Sequence, residues 1–121
     1  MTTTLSESNF DQVVLTSSVP VLVHFWAPWC GLCRMLNPLL DQFQREWGNQ
    51  LKIVDVNADE NFKLATAYQL TSLPTLLFIE DGQVIQRFEG LRGREEFRQA
   101  LNLLMYRHQL ESHPLENSLA E

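Results

Sequence analysis

Hydrophobic side chains recur along this chain with two different periods, and the changes between them mark an alternating series of helices and strands. Ser6 stands where a helix cap would, and Phe10, Val13, Val14 and Ser17 follow at helical spacing up to Pro20. Val21 to Ala27 is dense in β-branched and aromatic residues and reads as a buried strand. Met35, Leu36, Leu39, Leu40, Phe43 and Trp47 then return every three or four residues until Gly48 and Asn49 interrupt them, which predicts a long amphipathic helix over 32–47. Leu51 to Val56 reads as another strand, and Asp59 as the cap of a helix carrying Phe62, Ala65 and Tyr68. Thr75 to Ile79 is apolar on both faces, and Asp81-Gly82 is a hairpin signal into Gln83 to Glu89. Phe97, Leu101, Leu104 and Met105 share one face of a helix over 94–107, and past Arg107 the pattern dissolves.

The predicted order is helix, strand, helix, strand, helix, hairpin, helix. Strands joined through helices run parallel by right-handed crossovers, whereas a hairpin pair is antiparallel. The expected object is an α/β domain with a mixed sheet covered by helices on both faces.

A length of 121 residues fits one such domain with a real core. The chain has 9 Lys+Arg against 15 Asp+Glu, a net charge of −6, which offers no basic footprint for nucleic acid or an anionic membrane. Half of that imbalance lies in residues 108–121, where Glu111, Glu116 and Glu121 have no Lys or Arg beside them. The expectation is therefore a domain over 1–107 followed by an acidic, flexible tail over 108–121. Residues 1–8 lack the basic and apolar stretches of a secretory signal, and the longest apolar stretch is broken by Pro20, His24, Pro28 and Gly31. No membrane partner and a cytoplasmic location are expected.

The candidate chemistry sits in Cys30-Gly31-Leu32-Cys33, where the first long strand passes into the long helix, and these are the only two cysteines. Unpaired N–H groups and the positive end of the macrodipole at a first helical turn favour a thiolate over a thiol, so the Cys30 pKa should be lowered. Residues at i and i+3 on one turn are close enough to form a disulfide, with Gly31 easing the turn. A purely stabilising disulfide is a weak alternative, because a four-residue loop constrains the unfolded chain little. A zinc site with His108 and His113 would need ligands much farther apart along the chain than a finger uses. Redox chemistry is the reading these residues favour.

The segment Phe25-Trp26-Ala27-Pro28-Trp29-Cys30-Gly31-Leu32-Cys33-Arg34-Met35 resembles the active-site segment of the thioredoxin family. Separated positions support the resemblance over about residues 5–107: Pro38 in the long helix, Asp59, Ser72-Leu73-Pro74-Thr75, Asp81-Gly82 and Gly90. The resemblance implies a thioredoxin-like fold, a five-stranded mixed sheet of order 1-3-2-4-5 with four helices, its first strand near Thr2 to Leu5. It implies a protein-disulfide reductase in which Cys30 is the nucleophile and Cys33 the buried resolving thiol. Pro74 matches the family's cis-proline facing the cysteines, leaving the Leu73 carbonyl free for a substrate backbone. Trp29, Gly31, Leu32, Leu73, Gly90 and Leu91 fall on the substrate-docking rim, and Pro38 matches a helix-bending proline. The implied partners are disulfide-containing proteins and a thioredoxin reductase, with the protein a monomer and no bound cofactor, since the two sulfurs carry both electrons.

Three residues depart from the family pattern. Leu32 stands where a proline is usual between the cysteines, which predicts a less reducing couple. His24 replaces a buried acid, and Asp55 replaces its neighbouring lysine. The inverted pair is expected to be partnered, with an imidazole titrating near neutrality and suited to take the proton of Cys33. Alternatives from other classes are a binding module whose cysteines are vestigial or regulatory, and an isomerase or oxidant built on the same fold. Arg34 reads as a solvated helix residue, and Arg87, Arg92, Arg94 and Arg98 as ordinary surface rather than a docking patch.

Overall fold

The computed structural model describes residues 3–112. Strands β1 (Thr3–Leu5), β2 (Val21–Trp26), β3 (Lys52–Asn57), β4 (Thr75–Glu80) and β5 (Gln83–Phe88) form one sheet in the order β1-β3-β2-β4-β5. β1 and β2 run parallel to β3, β4 is antiparallel to β2, and β5 is antiparallel to β4. The helical elements are a short π-type turn (Asp11–Leu15), α1 (Gly31–Trp47) with a 3-10 turn (Gly48–Gln50) closing it, α2 (Phe62–Ala67) and α3 (Arg94–Ser112). Apart from the 3-10 turn, this is the mixed five-stranded sheet with four helices that the resemblance implied.

β2 is paired along both edges, with β3 from Val21↔Lys52 to Trp26↔Asn57 and with β4 from Val21↔Ile79 to Phe25↔Thr75. Its alternation divides the core in two. Val21, Val23 and Phe25 join Leu5, Phe10, Val14 and Val56 on one face. Leu22 joins Leu36, Leu40, Phe78 and Phe97 on the other, between the sheet and α1 with α3. His24 has the parity of Leu22 and so lies on the face that α1 and α3 cover.

Several local expectations are revised. Met35 shares the spacing of the α1 core residues but is 55% exposed, whereas Leu36, Leu39, Leu40 and Phe43 are buried. At 3.6 residues per turn Met35 lies about 100° around the helix from Leu36, past the edge of the buried stripe. Ser6 does not cap a full helix: its carbonyl accepts from the Asn9 and Phe10 N–H groups, and its own N–H donates to Asn9 Oδ1 at 2.9 Å. The regular turn then begins only at Phe10.

Asp59 likewise does not cap α2. The Lys63 N–H in its first turn donates to Glu7 Oε2 at 2.7 Å, a carboxylate 56 residues away in sequence that no local pattern could reveal. α3 continues past Arg107 to Ser112, because His108 is not a tail residue: its Nε2 is 2.8 Å from Glu80 Oε2, and its ring and that of Phe78 form a T-shaped pair with centroids 5.5 Å apart. The remainder of the expected tail, residues 113–121 including His113, lies outside the described residues. The hairpin forms as expected, with Asp81 (φ 52) and Gly82 (φ 77) both left-handed. A Cβ at residue 82 would come within 3.3 Å of the Leu15 carbonyl. No helix among the described residues is long and apolar enough to cross a membrane.

Phe97 is fully buried and Met35 is not, so the two truncations should separate cleanly. Phe97→Ala is expected to cost about 3–5 kcal/mol in urea unfolding, and Met35→Ala to stay within about 0.5 kcal/mol of wild type.

Candidate active site

β2 ends at Trp26, and the chain turns at once: the Cys30 N–H donates to the Ala27 carbonyl at 3.0 Å. Cys30 then occupies the N-cap of α1 with extended backbone, and its Sγ accepts the Cys33 N–H at 3.2 Å. The sulfur therefore does what a serine or aspartate oxygen does at other helix starts, satisfying an N–H that has no intrahelical partner. One turn on, Cys33 is joined to Cys30 by a disulfide, with the Cα atoms 5.3 Å apart. Cys33 is 1% exposed and Cys30 6%, so what opening the pair has is at Cys30. In the reduced state the helix N-terminus stabilises negative charge on the capping sulfur.

Strand ends bring the other predicted residues to the same pole. Thr75 pairs with Phe25 in β2, so Leu73 and Pro74 extend past the end of β2 where the cysteine loop begins. The Leu73–Pro74 bond is cis and Pro74 is buried. Phe88 pairs with Leu76, which carries Gly90 (φ 76) and Leu91 toward that end. Leu32 and Leu91 pack onto the core cluster under α1, Leu73 packs onto the opposite cluster, and Gly31 is exposed with open space beside it. Asn57 pairs with Trp26, so Asp59 also emerges here. Its Oδ2 accepts the Trp29 Nε1–H at 2.9 Å and fastens an indole that is 68% exposed. Sequence reading missed this anchor, because its only local signal was an acid after a strand, and that signal equally describes a helix cap.

Arg34 is more than a solvated helix residue. Its Nη1 donates to the Pro28 carbonyl at 2.7 Å, bracing the loop ahead of Cys30 while keeping a cation near the pair. Of the group Arg87, Arg92, Arg94 and Arg98, Arg87 donates to the Tyr68 and Gln69 carbonyls just past α2, while Arg98 makes an exposed pair with Glu95 three residues before it.

His24 and Asp55 sit side by side in register on β2 and β3, yet the expected bonded pair is not formed. Asp55 Oδ1 accepts from Trp26 Nε1 at 3.0 Å and from Thr4 Oγ1 at 2.9 Å. His24 is 1% exposed, and neither ring nitrogen has a hydrogen-bond partner among the described residues. Burial pushes its pKa down to about 4, and the Asp55 charge offsets only part of that. The ring is therefore neutral at physiological pH, not poised near neutrality as the sequence led one to expect. Among the described residues no group of three or more His, Cys, Asp or Glu side chains could hold a metal ion.

A mixed five-stranded sheet with a Cys-x-x-Cys pair capping the helix after its central strand defines a thiol–disulfide oxidoreductase. The family model for thioredoxin matches residues 1–103. Thioredoxin 1 of Synechococcus elongatus is 46% identical over 86 residues, 71% of this chain and 80% of that protein. Thioredoxin 1 of a Nostoc species is 42% identical over 97 residues, 80% of this chain and 91% of that protein. Thioredoxin of Bacillus subtilis is 42% identical over 87 residues, covering 72% and 84%. The chain belongs to the thioredoxin family.

The neutral His24 sets a pH dependence of stability. Its folded pKa of about 4 lies below the ordinary imidazole value of 6.5, so between those limits the unfolded chain binds a proton that the folded one refuses. Stability from this group is whole above about pH 6.5 and declines as pH falls toward 4, by up to about 3 kcal/mol. Urea unfolding across this range should show that decline in wild type and lose it in His24→Leu.

Proposed function

We propose that this protein reduces disulfides of other proteins, working as a monomer in the cytoplasm and drawing electrons from a thioredoxin reductase. The observation that carries the reading is a sulfur at the N-cap of α1 with a second, more deeply buried sulfur one turn along. In the reduced enzyme the Cys30 thiolate attacks one sulfur of the substrate disulfide. A mixed disulfide forms and the first substrate thiolate leaves. Cys33, deprotonated, then attacks the Cys30 sulfur, forms the intramolecular disulfide and releases the second substrate thiolate. Two electrons have passed from the dithiol to the substrate, and reductase must return two to the Cys30–Cys33 bond. No bound cofactor is needed, because both electrons stay on sulfur.

His24 is the group proposed to take the Cys33 proton. It lies buried on the face α1 covers, and an uncharged imidazole has one nitrogen free to accept. The imidazolium so formed is unfavourable in that setting, which keeps the transfer transient, and the Asp55 charge in the adjacent register position lowers its cost. Trp29, Gly31, Leu32, Leu73, Pro74, Gly90 and Leu91 form the docking rim for substrate in this reading. Leu32, which unlike proline leaves φ unrestrained between the cysteines, supports a couple less reducing than the family's usual one.

With dithiothreitol as reductant, wild type should turn over a disulfide-bridged protein, and Cys30→Ser should lose at least about 100-fold. Lack of turnover in wild type would instead favour a binding module built on the same fold. Cys33→Ser should accumulate the mixed disulfide on Cys30, and His24→Leu should slow its resolution and alter the pH profile of that step. An unchanged profile and rate would leave His24 with packing alone. Equilibration with glutathione should give wild type a higher midpoint potential than Leu32→Pro, and equal potentials would remove Leu32 as the tuning residue.

A further inference from the structure

Phe62 is 76% exposed, more than any other large hydrophobic side chain among the described residues. A phenyl ring left in water forgoes about 1.5–3 kcal/mol of burial. An isolated exposed hydrophobic would need no explanation, but this one is neither isolated nor loose. Asn61 before it is buried, donating to the Asn57 carbonyl at 2.9 Å and accepting the Glu7 N–H at 2.9 Å. Leu64, two residues on, is the buried residue of α2, and the intervening Lys63 N–H is bonded to Glu7. With both neighbours tied down, Phe62 is held facing outward.

Phe62 also follows closely on the end of β3, which reaches the same pole as the cysteines. Asp59, which fastens the Trp29 indole, precedes Phe62 by three residues, a span of at most about 10 Å. Two exposed aromatic side chains are thus tied to the turn after β3, Trp29 through its bond to Asp59 and Phe62 through the chain itself. The exposed Asp59 and Glu60 precede Phe62 in this turn, Glu60 accepting from Asn57 Nδ2 at 2.8 Å, with Glu7 bonded to the Lys63 N–H and Lys63 as the local cation. Rigid aromatic surface edged by carboxylates fits an apolar side chain next to a Lys or Arg, the cation finding both ring faces and acids.

We propose that Phe62 extends the docking surface beyond Trp29 and selects protein disulfides whose reactive cysteine is flanked by an apolar and a basic side chain. The inference rests on the dithiol–disulfide reading of Cys30 and Cys33. It assigns Phe62 to recognition: it touches the flanking chain of the substrate and not the reacting sulfurs.

The test uses two peptides, each with one cysteine capped as a mixed disulfide with cysteamine, differing only in its flanks: Leu and Arg in one, Ser and Glu in the other. Wild type is expected to prefer the Leu/Arg peptide about ten-fold in kcat/KM, with the difference in KM. Phe62→Ser should bring that ratio to within about two-fold of unity, and Phe62→Trp should restore it. A ratio near one in wild type, or a wild-type ratio that survives in Phe62→Ser, overturns the proposal. Turnover of cystamine by wild type reads the underlying chemistry separately; its absence would overturn the oxidoreductase reading, and this inference with it.

Discussion

The register of β2 is the constraint on which the candidate site depends. This strand is hydrogen-bonded along both edges and buried on both faces, so a slip of one residue would exchange Val21, Val23 and Phe25 with Leu22 and His24. Each of the two cores would then meet side chains shaped for the other. Because the register is held so firmly, the four residues after Trp26 deliver Cys30 to one place, the start of α1. The ends of β3, β4 and β5 reach the same pole through their pairing with β2 or with its neighbour. The cysteines, the cis-proline segment, the Gly90 turn and the Asp59 anchor are assembled by strand pairing, although they come from four separate parts of the chain.

Beneath that pole the balance of polar forces is unusual. A buried imidazole always carries at least one N–H, and leaving it without a partner costs about 1–3 kcal/mol. His24 bears that cost while Asp55, its register neighbour, serves the Trp26 indole and the Thr4 hydroxyl and so joins β1, β3 and β2 through side chains. With the ring neutral, positive potential at the sulfurs comes from the α1 N-terminus and from Arg34. The surface above follows a similar logic, since Asp59 both orients an exposed indole and adds negative charge beside it.

Much of this was legible one element at a time. The strands from Val21, Leu51 and Thr75, the long helix and the Asp81-Gly82 hairpin announced themselves through period and turn chemistry, and the Cys30–Cys33 spacing announced a dithiol. Three of the failures share a cause. Met35 matched the helical period but fell past the edge of the buried stripe, a matter of where the sheet lies. Asp59 looked like a cap, but its oxygen was claimed by Trp29 and the capping role passed to Glu7. His108 looked like the start of a tail, but found Glu80 and Phe78 across the fold. Each outcome was decided by a partner distant in sequence.

By itself, then, the sequence determined the order and type of the elements, because hydrophobic period and turn residues act locally. It also determined that two thiols would share the first turn of a helix after a buried strand. Only the tertiary structure decided how deep His24 lies, and so that it is uncharged. It alone decided which donors Asp55 accepts and that Phe62 faces solvent near Trp29. Desolvation and side-chain pairing depend on what packs against a residue, and that is set by strands and helices brought together from across the chain.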